Sequence, residues 1–356
     1  MSDDRLRMTP GPTEVPAPVR ERLAEPTPNP DVEDEFLEFY QGLTEKLEAV
    51  YGSDDLAILS GEGILGLEAA VASLIEPGDR VLCLANGIYG EGFAGFVEAY
   101  GGEAVVCAAD WAGPLDLAAV EAELEDGEFA AATMVHCETP TGVLNDLEPV
   151  LGLLAEYDVV SVVDAVSSLG GTPVPTEHID VCIGATQKCF SAPPGLTVLS
   201  VSDRAWDRIE ATETRSNYLD LEPWKTALEE EWFPYTMPTA TLYALDTAID
   251  LLREEGLASV FERHETCAQL CRDRTRELGL EFYPDDETLC SPTVTALEVE
   301  GRARELQERI DEEHDVVLAT GLSDLEDDVL RIGHMGHNAR VENVDRTMDA
   351  LEAVLE

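Results

Sequence analysis

The chain has 356 residues, and its 74 acidic side chains against 22 basic ones give a formal net charge of −52. A hydrophobic content of 44%, gathered in aliphatic runs, excludes a disordered acidic protein and is ample for the two domains that this length suggests. No basic patch favours nucleic-acid binding, and no apolar run suits a membrane span or a secretory signal. We expect a cytoplasmic protein adapted to high salt, which screens repulsion between carboxylates.

The N-terminal segment is rich in proline, and we predict that residues 1–18 form an extended arm. From residue 36 onward, apolar runs typical of buried strands alternate with helical periodicity. The predicted strands cover 56–60, 81–85, 104–108, 131–136, 159–165, 180–185 and 196–202, and helical segments separate the first five. This alternation predicts a three-layer α/β fold in which helices cover both faces of a mostly parallel sheet.

Long helices, over 241–256 and 260–279, follow the last of these strands, and strands then alternate with helices to the end of the chain. We predict a large domain of residues 19–253 and a smaller α+β domain of residues 254–356. The carboxyl ends of parallel strands meet at one edge of a sheet, so the functional loops of the large domain are expected there.

Five loops at predicted strand ends carry the candidate residues. The first loop, SGEG at 60–63, lies between a strand and a helix, and such a turn usually binds phosphate through free N–H groups. The others hold Tyr89 in NGIYG, Thr139 in HCETPTG, Asp164 in VDAVSS and Lys188 in GATQKCFSAPPG, the last two on separate strand ends. These side chains are therefore expected to face one another across a single site.

Asp164 ends a predicted buried strand, where an unpaired carboxylate is costly, and Lys188 follows another strand in an apolar neighbourhood. Lysine is scarce in this chain, and the others are Lys46 and Lys225. A desolvated lysine has a lowered pKa and attacks carbonyl carbons, which arginine cannot do. Spacing alone leaves three interpretations open: a nucleophilic lysine, an Asp164–Lys188 ion pair, or two solvated loop residues.

The cysteines and histidines give no metal signature. No CxxC pair occurs among the eight cysteines, and we expect them to be reduced and buried. They are Cys83, Cys107, Cys137, Cys182, Cys189, Cys267, Cys271 and Cys290. His334-x-x-His337 lacks a second ligand cluster, so we predict no metal site.

Taken together, the motifs SGxGxxxLEAA, ANGIYG, VDAVSSLGG, QKxxxAPPG and LRIG resemble those of the class V aminotransferases of fold type I, in the alanine–glyoxylate aminotransferase group. The resemblance runs from TPGP at 9–12 to RIGHMG at 331–336. It implies the fold type I large domain, pyridoxal 5′-phosphate as cofactor, a small amino acid and a keto acid as substrates, and a homodimer with shared active sites. A non-catalytic acidic scaffold is disfavoured because both Lys188 and Asp164 are present.

The resemblance also implies a role for each matching position. Lys188 would form the Schiff base and carry the proton transfer, and Asp164 would keep the pyridine nitrogen protonated, as pyridoxal chemistry requires. Tyr89 would stack on the ring, and Thr139 would hydrogen-bond its 3-hydroxyl. Arg331 would bind the substrate carboxylate through its planar guanidinium group. Without the resemblance, the sequence around Arg331 also allows a surface ion pair.

The cofactor's phosphate end is implied to contact the turn residues, a glutamine beside the lysine, and a residue of the neighbouring subunit. These are Gly61, Glu62, Gly63, Ile64, Gln187 and Thr236. Cysteine desulfurases resemble the same fold but place histidine before the lysine, so a lyase is disfavoured. Cys189 follows Lys188 directly, and packing is its favoured role.

Glu62 departs from the group, which usually has glycine or a small hydroxyl residue at this position. A carboxylate repels a phosphate dianion but accepts a hydrogen bond from the alcohol of an unphosphorylated vitamer. One branch, the pyridoxamine–pyruvate aminotransferases, resembles this chain in having glutamate here, and it uses unphosphorylated pyridoxal or pyridoxamine as a substrate in the same site. Gln187 departs from that branch, which tends to have asparagine.

We therefore expect pyridoxamine–pyruvate transamination, in which Glu62 contributes to substrate binding and alanine and pyruvate form the small substrate pair. The alternative is an alanine–glyoxylate or serine–pyruvate aminotransferase that holds pyridoxal phosphate. Two other interpretations of Glu62 stay open: a side chain that points away and leaves only its backbone N–H for an anion, or one more solvated acid.

Overall fold

The computed structural model describes residues 5–53, 55–214 and 216–355. The predicted arm and domains also include residues 1–4, 54, 215 and 356, which lie outside this description. The helices are α1 (Ala17–Arg22), α2 (Asp34–Tyr51), α3 (Gly63–Leu74), α4 (Ile88–Ala99), α5 (Leu117–Asp126), α6 (Glu148–Glu156), α7 (Asp203–Ala211), α8 (Thr239–Glu255), α9 (Leu257–Glu277), α10 (Ala303–His314) and α11 (Val341–Leu355).

The strands of the same residues form one large sheet, one smaller sheet and two short pairs. They are β1 (Leu6–Arg7), β2 (Leu56–Ser60), β3 (Arg80–Ala85), β4 (Glu103–Ala108), β5 (Ala131–Val135), β6 (Cys137–Glu138), β7 (Val143–Leu144), β8 (Val160–Asp164), β9 (Val181–Ala185), β10 (Leu196–Val201), β11 (Glu281–Phe282), β12 (Thr295–Glu298), β13 (Val316–Val317), β14 (Ala319–Thr320) and β15 (Val329–Ile332).

The large sheet has the strand order β2–β10–β9–β8–β5–β3–β4. Its strands pair in parallel except β10, which runs antiparallel to both β2 and β9. Every residue of β8 is buried, because helices cover both faces of the sheet and leave no polar side to its valines. The predicted α/β fold with a mostly parallel sheet is confirmed.

A second, antiparallel sheet has the order β11–β12–β15–β14. It packs with α9, α10 and α11 around a hydrophobic core that includes Leu297, Leu306, Leu330 and Met348, all fully buried. The helices α8 and α9 meet at Gly256, where a φ of +82° turns the chain as a glycine readily does. The predicted boundaries at residues 18 and 253 stay predictions.

The N-terminal segment differs from a plain extended arm. Strand β1 pairs in parallel with β13, and Met8 is fully buried in the core of the second sheet. Helix α1 begins inside the predicted arm and has proline in its first turn, where the missing N–H costs nothing. Across the described residues, no helix combines the length and the apolar character that crossing a bilayer requires.

All eight cysteines are buried and free, as predicted. His334 is buried too, and its ring nitrogens lie 2.8 Å from Thr295 Oγ1 and 2.9 Å from the Pro292 carbonyl oxygen. These protein contacts occupy both nitrogens of that histidine.

Candidate active site

A pocket opens at the carboxyl edge of the large sheet, where β2, β8 and β9 end and where α3 and α4 begin. It collects most of the predicted site residues in one place. Its lining consists of Glu62, Gly63, Ile64, Leu67, Tyr89, Thr139, Asp164, Val166, Ser167, Gln187 and Lys188. The parallel strands thus bring together side chains that lie far apart in the sequence, as their positions at strand ends predicted.

Lys188 lies in the loop after β9, and its Nζ donates a hydrogen bond of 2.7 Å to the Pro10 carbonyl oxygen. Burial and the positive charge of Arg331 lower the pKa of Lys188 to about 8, against the opposing attraction of Asp164. Within the described residues no salt bridge joins Lys188 to Asp164, so the ion-pair interpretation is wrong. The lowered pKa provides a neutral, nucleophilic amine under mildly alkaline conditions.

Asp164 is the last residue of β8 and is buried. Its Oδ1 accepts a hydrogen bond of 2.9 Å from the backbone N–H of Val166. Burial raises the pKa of Asp164 to about 6, and the charge of Glu62 acts in the same direction, whereas the Val166 N–H and Lys188 oppose both. A buried carboxylate of this kind gains from a cationic or N–H ligand in the pocket.

Tyr89 and Thr139 line the pocket beside this carboxylate. Tyr89 lies in the first turn of α4, and burial together with the charge of Asp164 raises its pKa, which keeps the phenol neutral. Thr139 is buried and shares a hydrogen bond with Ser167 through their hydroxyls. The site therefore presents one aromatic ring and a pair of hydroxyls.

Arg331 lies on β15 and is only 7% exposed. Its Nε donates to the Thr320 carbonyl oxygen at 2.7 Å, and its Nη1 donates to the Thr139 carbonyl oxygen at 3.3 Å. Burial lowers the pKa of Arg331 to about 10, and within the described part of the chain no carboxylate forms a salt bridge with it. The surface ion pair is wrong, and this buried cation next to the pocket suits an anionic ligand.

The turn before α3 exposes Glu62, which lines the pocket at the N-cap position of the helix. Its side chain caps none of the helix's own N–H groups. Gly63 packs closely on Val166, since a Cβ at Gly63 would lie 2.9 Å from the valine Cγ2. A Cβ at Gly61 would lie 2.4 Å from Leu65 Cδ1 of α3, and Ile64 is 47% exposed in the lining of the pocket.

Gln187 is buried, and its side-chain oxygen has no hydrogen-bond partner in the described structure. An unsatisfied buried amide oxygen is costly, so a ligand that donates a hydrogen bond here would stabilise the pocket. The nucleophilic amine, the buried carboxylate, the aromatic ring, the hydroxyl pair and this acceptor together fit a pyridoxal ring. Their roles toward such a ring stay proposals.

Thr236 is not part of the pocket of its own chain. It is exposed, and its Oγ1 donates a hydrogen bond of 3.1 Å to Asp31. Its predicted contact with a neighbouring subunit stays a prediction.

Sequence reasoning missed Glu138, which lies next to Thr139 in HCETPTG and is fully buried. Its Oε1 accepts a hydrogen bond of 2.7 Å from the N–H of Gly90, and its Oε2 accepts one of 3.4 Å from the N–H of Tyr89. Burial raises the pKa of Glu138 to about 7, although the Gly90 N–H opposes this. The signal was an acid in an apolar segment at a strand end, and its effect is to fix the start of α4, which carries Tyr89.

Known proteins resemble the chain along most of its length. The family described as Aminotransferase class-V matches residues 31–346. An uncharacterized aminotransferase of Methanocaldococcus jannaschii is 35% identical over 340 residues, which cover 93% of this chain and 88% of that protein.

Two further proteins are similar in sequence or in structure. The pyridoxamine–pyruvate transaminase of Mesorhizobium japonicum is 33% identical over 319 residues, covering 87% of this chain and 81% of its own. The crystal structure of an alanine–glyoxylate aminotransferase from a Nostoc species is 29% identical and superposes with a TM-score of 0.94 over 100% of this chain and 96% of its own. The chain therefore belongs to the class V aminotransferases.

Proposed function

We propose that this aminotransferase carries out pyridoxamine–pyruvate transamination, with alanine and pyruvate as the amino-acid and keto-acid pair. The observation that carries the proposal is the position of Glu62, which lines the pocket at the start of α3 without capping the helix. Burial is the main cause of the raised pKa values of Asp164 and Tyr89, and the charge of Glu62 adds a smaller contribution to both, so its field reaches these two groups. A ligand that enters there meets a carboxylate at a position where other members of the family usually have a small residue.

The charge of Glu62 favours a hydroxymethyl group over a phosphate. A phosphate dianion close to a carboxylate is repelled by about 1 kcal/mol or more, depending on how much water separates them. An alcohol instead donates a hydrogen bond to the carboxylate, and a charge-assisted bond of this kind is worth about 1.5–3 kcal/mol.

The remaining residues supply the other needs of amino-group transfer. A pyridoxal ring bound in the pocket supplies an electron sink. Lys188 supplies the nucleophilic amine and moves the proton, Asp164 holds a proton on the ring nitrogen, and Tyr89 packs on the ring face. Thr139 orients the ring hydroxyl, and the turn from Gly61 to Ile64 together with Gln187 holds the opposite end of the ring.

The substrate carboxylate is assigned to Arg331. Its guanidinium is buried beside the pocket and forms no salt bridge within the described residues, while two backbone carbonyls hold its orientation. Alanine and pyruvate each carry one carboxylate and a small side chain, so one bidentate pair would orient either of them.

The second candidate is an alanine–glyoxylate or serine–pyruvate aminotransferase that keeps pyridoxal phosphate. The free first turn of α3 favours it, because a helix N-terminus without a side-chain cap is a ready anion site. The structural similarity to an alanine–glyoxylate aminotransferase favours it as well.

The experiment compares both reactions in molar potassium chloride with protein that has been dialysed extensively. Pyridoxal release from pyridoxamine and pyruvate is measured beside alanine–glyoxylate turnover with and without added pyridoxal phosphate, and the Lys188→Ala protein sets the background. We expect vitamer turnover and no absorbance of bound pyridoxal phosphate after dialysis. A retained phosphate chromophore, with alanine–glyoxylate turnover only, would overturn the proposal.

We also propose a homodimer. Large apolar side chains are exposed near Thr236, with Tyr218 at 61% and Trp232 at 54%, and Val32 is 76% exposed near Asp31, which bonds Thr236. Exposed apolar groups of this size are typical of a surface that another chain covers. Light scattering coupled to size-exclusion chromatography is expected to give twice the chain mass, and a monomer would contradict the proposal.

A further inference from the structure

We infer that an N-terminal strap, residues 6–13, packs behind the active site and holds the side chain of Lys188 in place. The strap begins as β1, which pairs with β13 of the second sheet. Its far end reaches the lysine loop, where Thr13 donates from its N–H to the Gln187 carbonyl oxygen at 3.0 Å and from Oγ1 to the Lys188 carbonyl oxygen at 3.0 Å. The strap is thus anchored on both sides of the lysine.

The middle of the strap contacts the reactive amine directly. The Pro10 carbonyl oxygen accepts the hydrogen bond from Lys188 Nζ, at 2.7 Å. A buried amine that carries a proton needs an acceptor, and a backbone carbonyl supplies one without adding a charge. The strap therefore fixes the amine, while burial and the charges of Arg331 and Asp164 set its pKa.

Gly11 leaves the space that the lysine side chain fills. A Cβ at Gly11 would lie 2.4 Å from Lys188 Cδ, 2.7 Å from Cε and 2.8 Å from Nζ. The φ of +100° at Gly11 is, in addition, a conformation that favours glycine. Any side chain here must therefore displace the lysine or the strap.

The strap also joins the lysine to the strand of Arg331. The N–H of Gly333, just beyond β15, donates to the Met8 carbonyl oxygen at 2.7 Å. A Cβ at Gly333 would lie 2.4 Å from the Pro10 nitrogen and from the Thr9 carbonyl group. One backbone segment thus contacts both Lys188 and the strand of Arg331, and it fixes their relative position.

This inference rests on the proposed function only in assigning Lys188 as the nucleophile, and its test involves no transamination. The reagent is acetic anhydride, applied in molar potassium chloride over a range of pH, and peptide mass spectrometry follows acetylation of each lysine. Lys46, bonded to Asp246 and Asp250 at 2.7 Å each, and Lys225, bonded to Glu210, serve as internal references. A wrong vitamer or keto acid would leave every one of these rates unchanged.

The variants are Gly11→Ala and its matched control Gly78→Ala. Gly78 has a φ of +94°, and no atom lies within 4 Å of a Cβ placed there, so the control has similar backbone strain without crowding a neighbour. In G11A the displaced lysine loses its buried position, and its acetylation midpoint should rise from about 8 by at least half a pH unit relative to G78A.

A second measurement on the same proteins follows trapping of pyridoxal at Lys188 by borohydride reduction. The trapping rate in G11A should fall at least about fivefold relative to G78A, because a displaced amine no longer meets a bound carbonyl. If G11A does not fold by circular dichroism, Gly333→Ala replaces it, since its Cβ presses on the strap from the strand of Arg331. A smaller or opposite change in the midpoint, or a smaller loss of trapping, would overturn the inference.

Discussion

Two helices begin at the pocket, each shortly after a strand of the large sheet, and their first turns are completed in different ways. At the start of α4 the fully buried Glu138 accepts hydrogen bonds from the N–H groups of Tyr89 and Gly90. At the start of α3 the side chain of the exposed Glu62 bonds none of the helix's N–H groups. Both ends carry the partial positive charge of a helix N-terminus, so both attract anions.

The difference shows that an acid at a helix start has a role set by its burial and its bonding. Glu138 accepts hydrogen bonds from the first turn of α4 and thereby fixes Tyr89 in the lining of the pocket. Glu62 leaves the N–H groups of α3 uncapped and adds a negative charge beside them. The first turn of α4 is thereby capped by the protein, and the first turn of α3 is where we propose that the ligand is selected.

The largest expected effect tests whether both helix ends serve one reactive amine. Lys188→Ala should lower transaminase activity by about a thousandfold or more, because it removes the proposed nucleophile, which lines the same pocket as both helix starts. Initial rates of pyridoxal release from pyridoxamine and pyruvate check this. Lys225→Ala is the control, since Lys225 bonds Glu210 outside the pocket. If K188A kept its activity, Lys188 would not be the nucleophile, and the two helix starts would not serve a common reactive group.

The second-largest expected effect concerns the start of α4, which Glu138 caps. Glu138→Ala should lower the free energy of unfolding by about 2–4 kcal/mol, because it leaves buried N–H groups without acceptors and opens a cavity. Urea denaturation in molar potassium chloride measures the change. Glu91→Ala is the matched control, because Glu91 is an exposed acid in the first turn of the same helix. Equal effects of the two substitutions would show that burial does not distinguish them.

The pH dependence of stability sharpens the same contrast. The pKa of Glu138 is raised to about 7 in the folded protein from its ordinary value of 4.5, chiefly by burial. The folded state thus holds a proton that the unfolded chain releases, so this contribution to stability is complete below pH 4.5 and is lost as pH rises through about 7. Across that window the wild type should lose about 2–3 kcal/mol relative to Glu138→Gln. A difference that stays constant with pH would contradict the assignment.

Local periodicity predicted the large sheet well, because each strand is a short apolar run that helices bury on both faces. The positions of Asp164 and Lys188 at strand ends then followed from the geometry of parallel sheets. The helix α7 was missed, although Ser202 precedes it and caps its first turn. The run SPTVTALEV at 291–299 predicts a strand of that length, but β12 begins only at Thr295, since Pro292 cannot donate to a ladder.

The rest of the site depends on contacts between distant segments, which no local pattern encodes. Nothing in the composition of TPGP indicates that Pro10 meets Lys188, because 178 residues separate them. Arg331 is one arginine among many until the fold buries it. Thr236 differs from these residues, because its predicted role depends on a contact with a second subunit and not on the fold of its own chain. Family motifs thus predicted the residues around Lys188. They did not predict the contacts from distant segments that hold those residues in place.

The smallest expected effect concerns the open end and decides what enters it. Glu62→Ser removes a negative charge beside the free N–H groups of α3, so affinity for pyridoxal phosphate should rise about tenfold and pyridoxamine turnover should fall. Absorbance titration with the phosphate form measures the first change. Glu76→Ser is the matched control, because it removes an exposed acid at the far end of the same helix. If both variants bind the phosphate form alike, Glu62 acts only through the overall charge, and the contrast with Glu138 reduces to burial alone. If only E62S gains affinity, the choice between phosphate and alcohol is made by one carboxylate at one helix start.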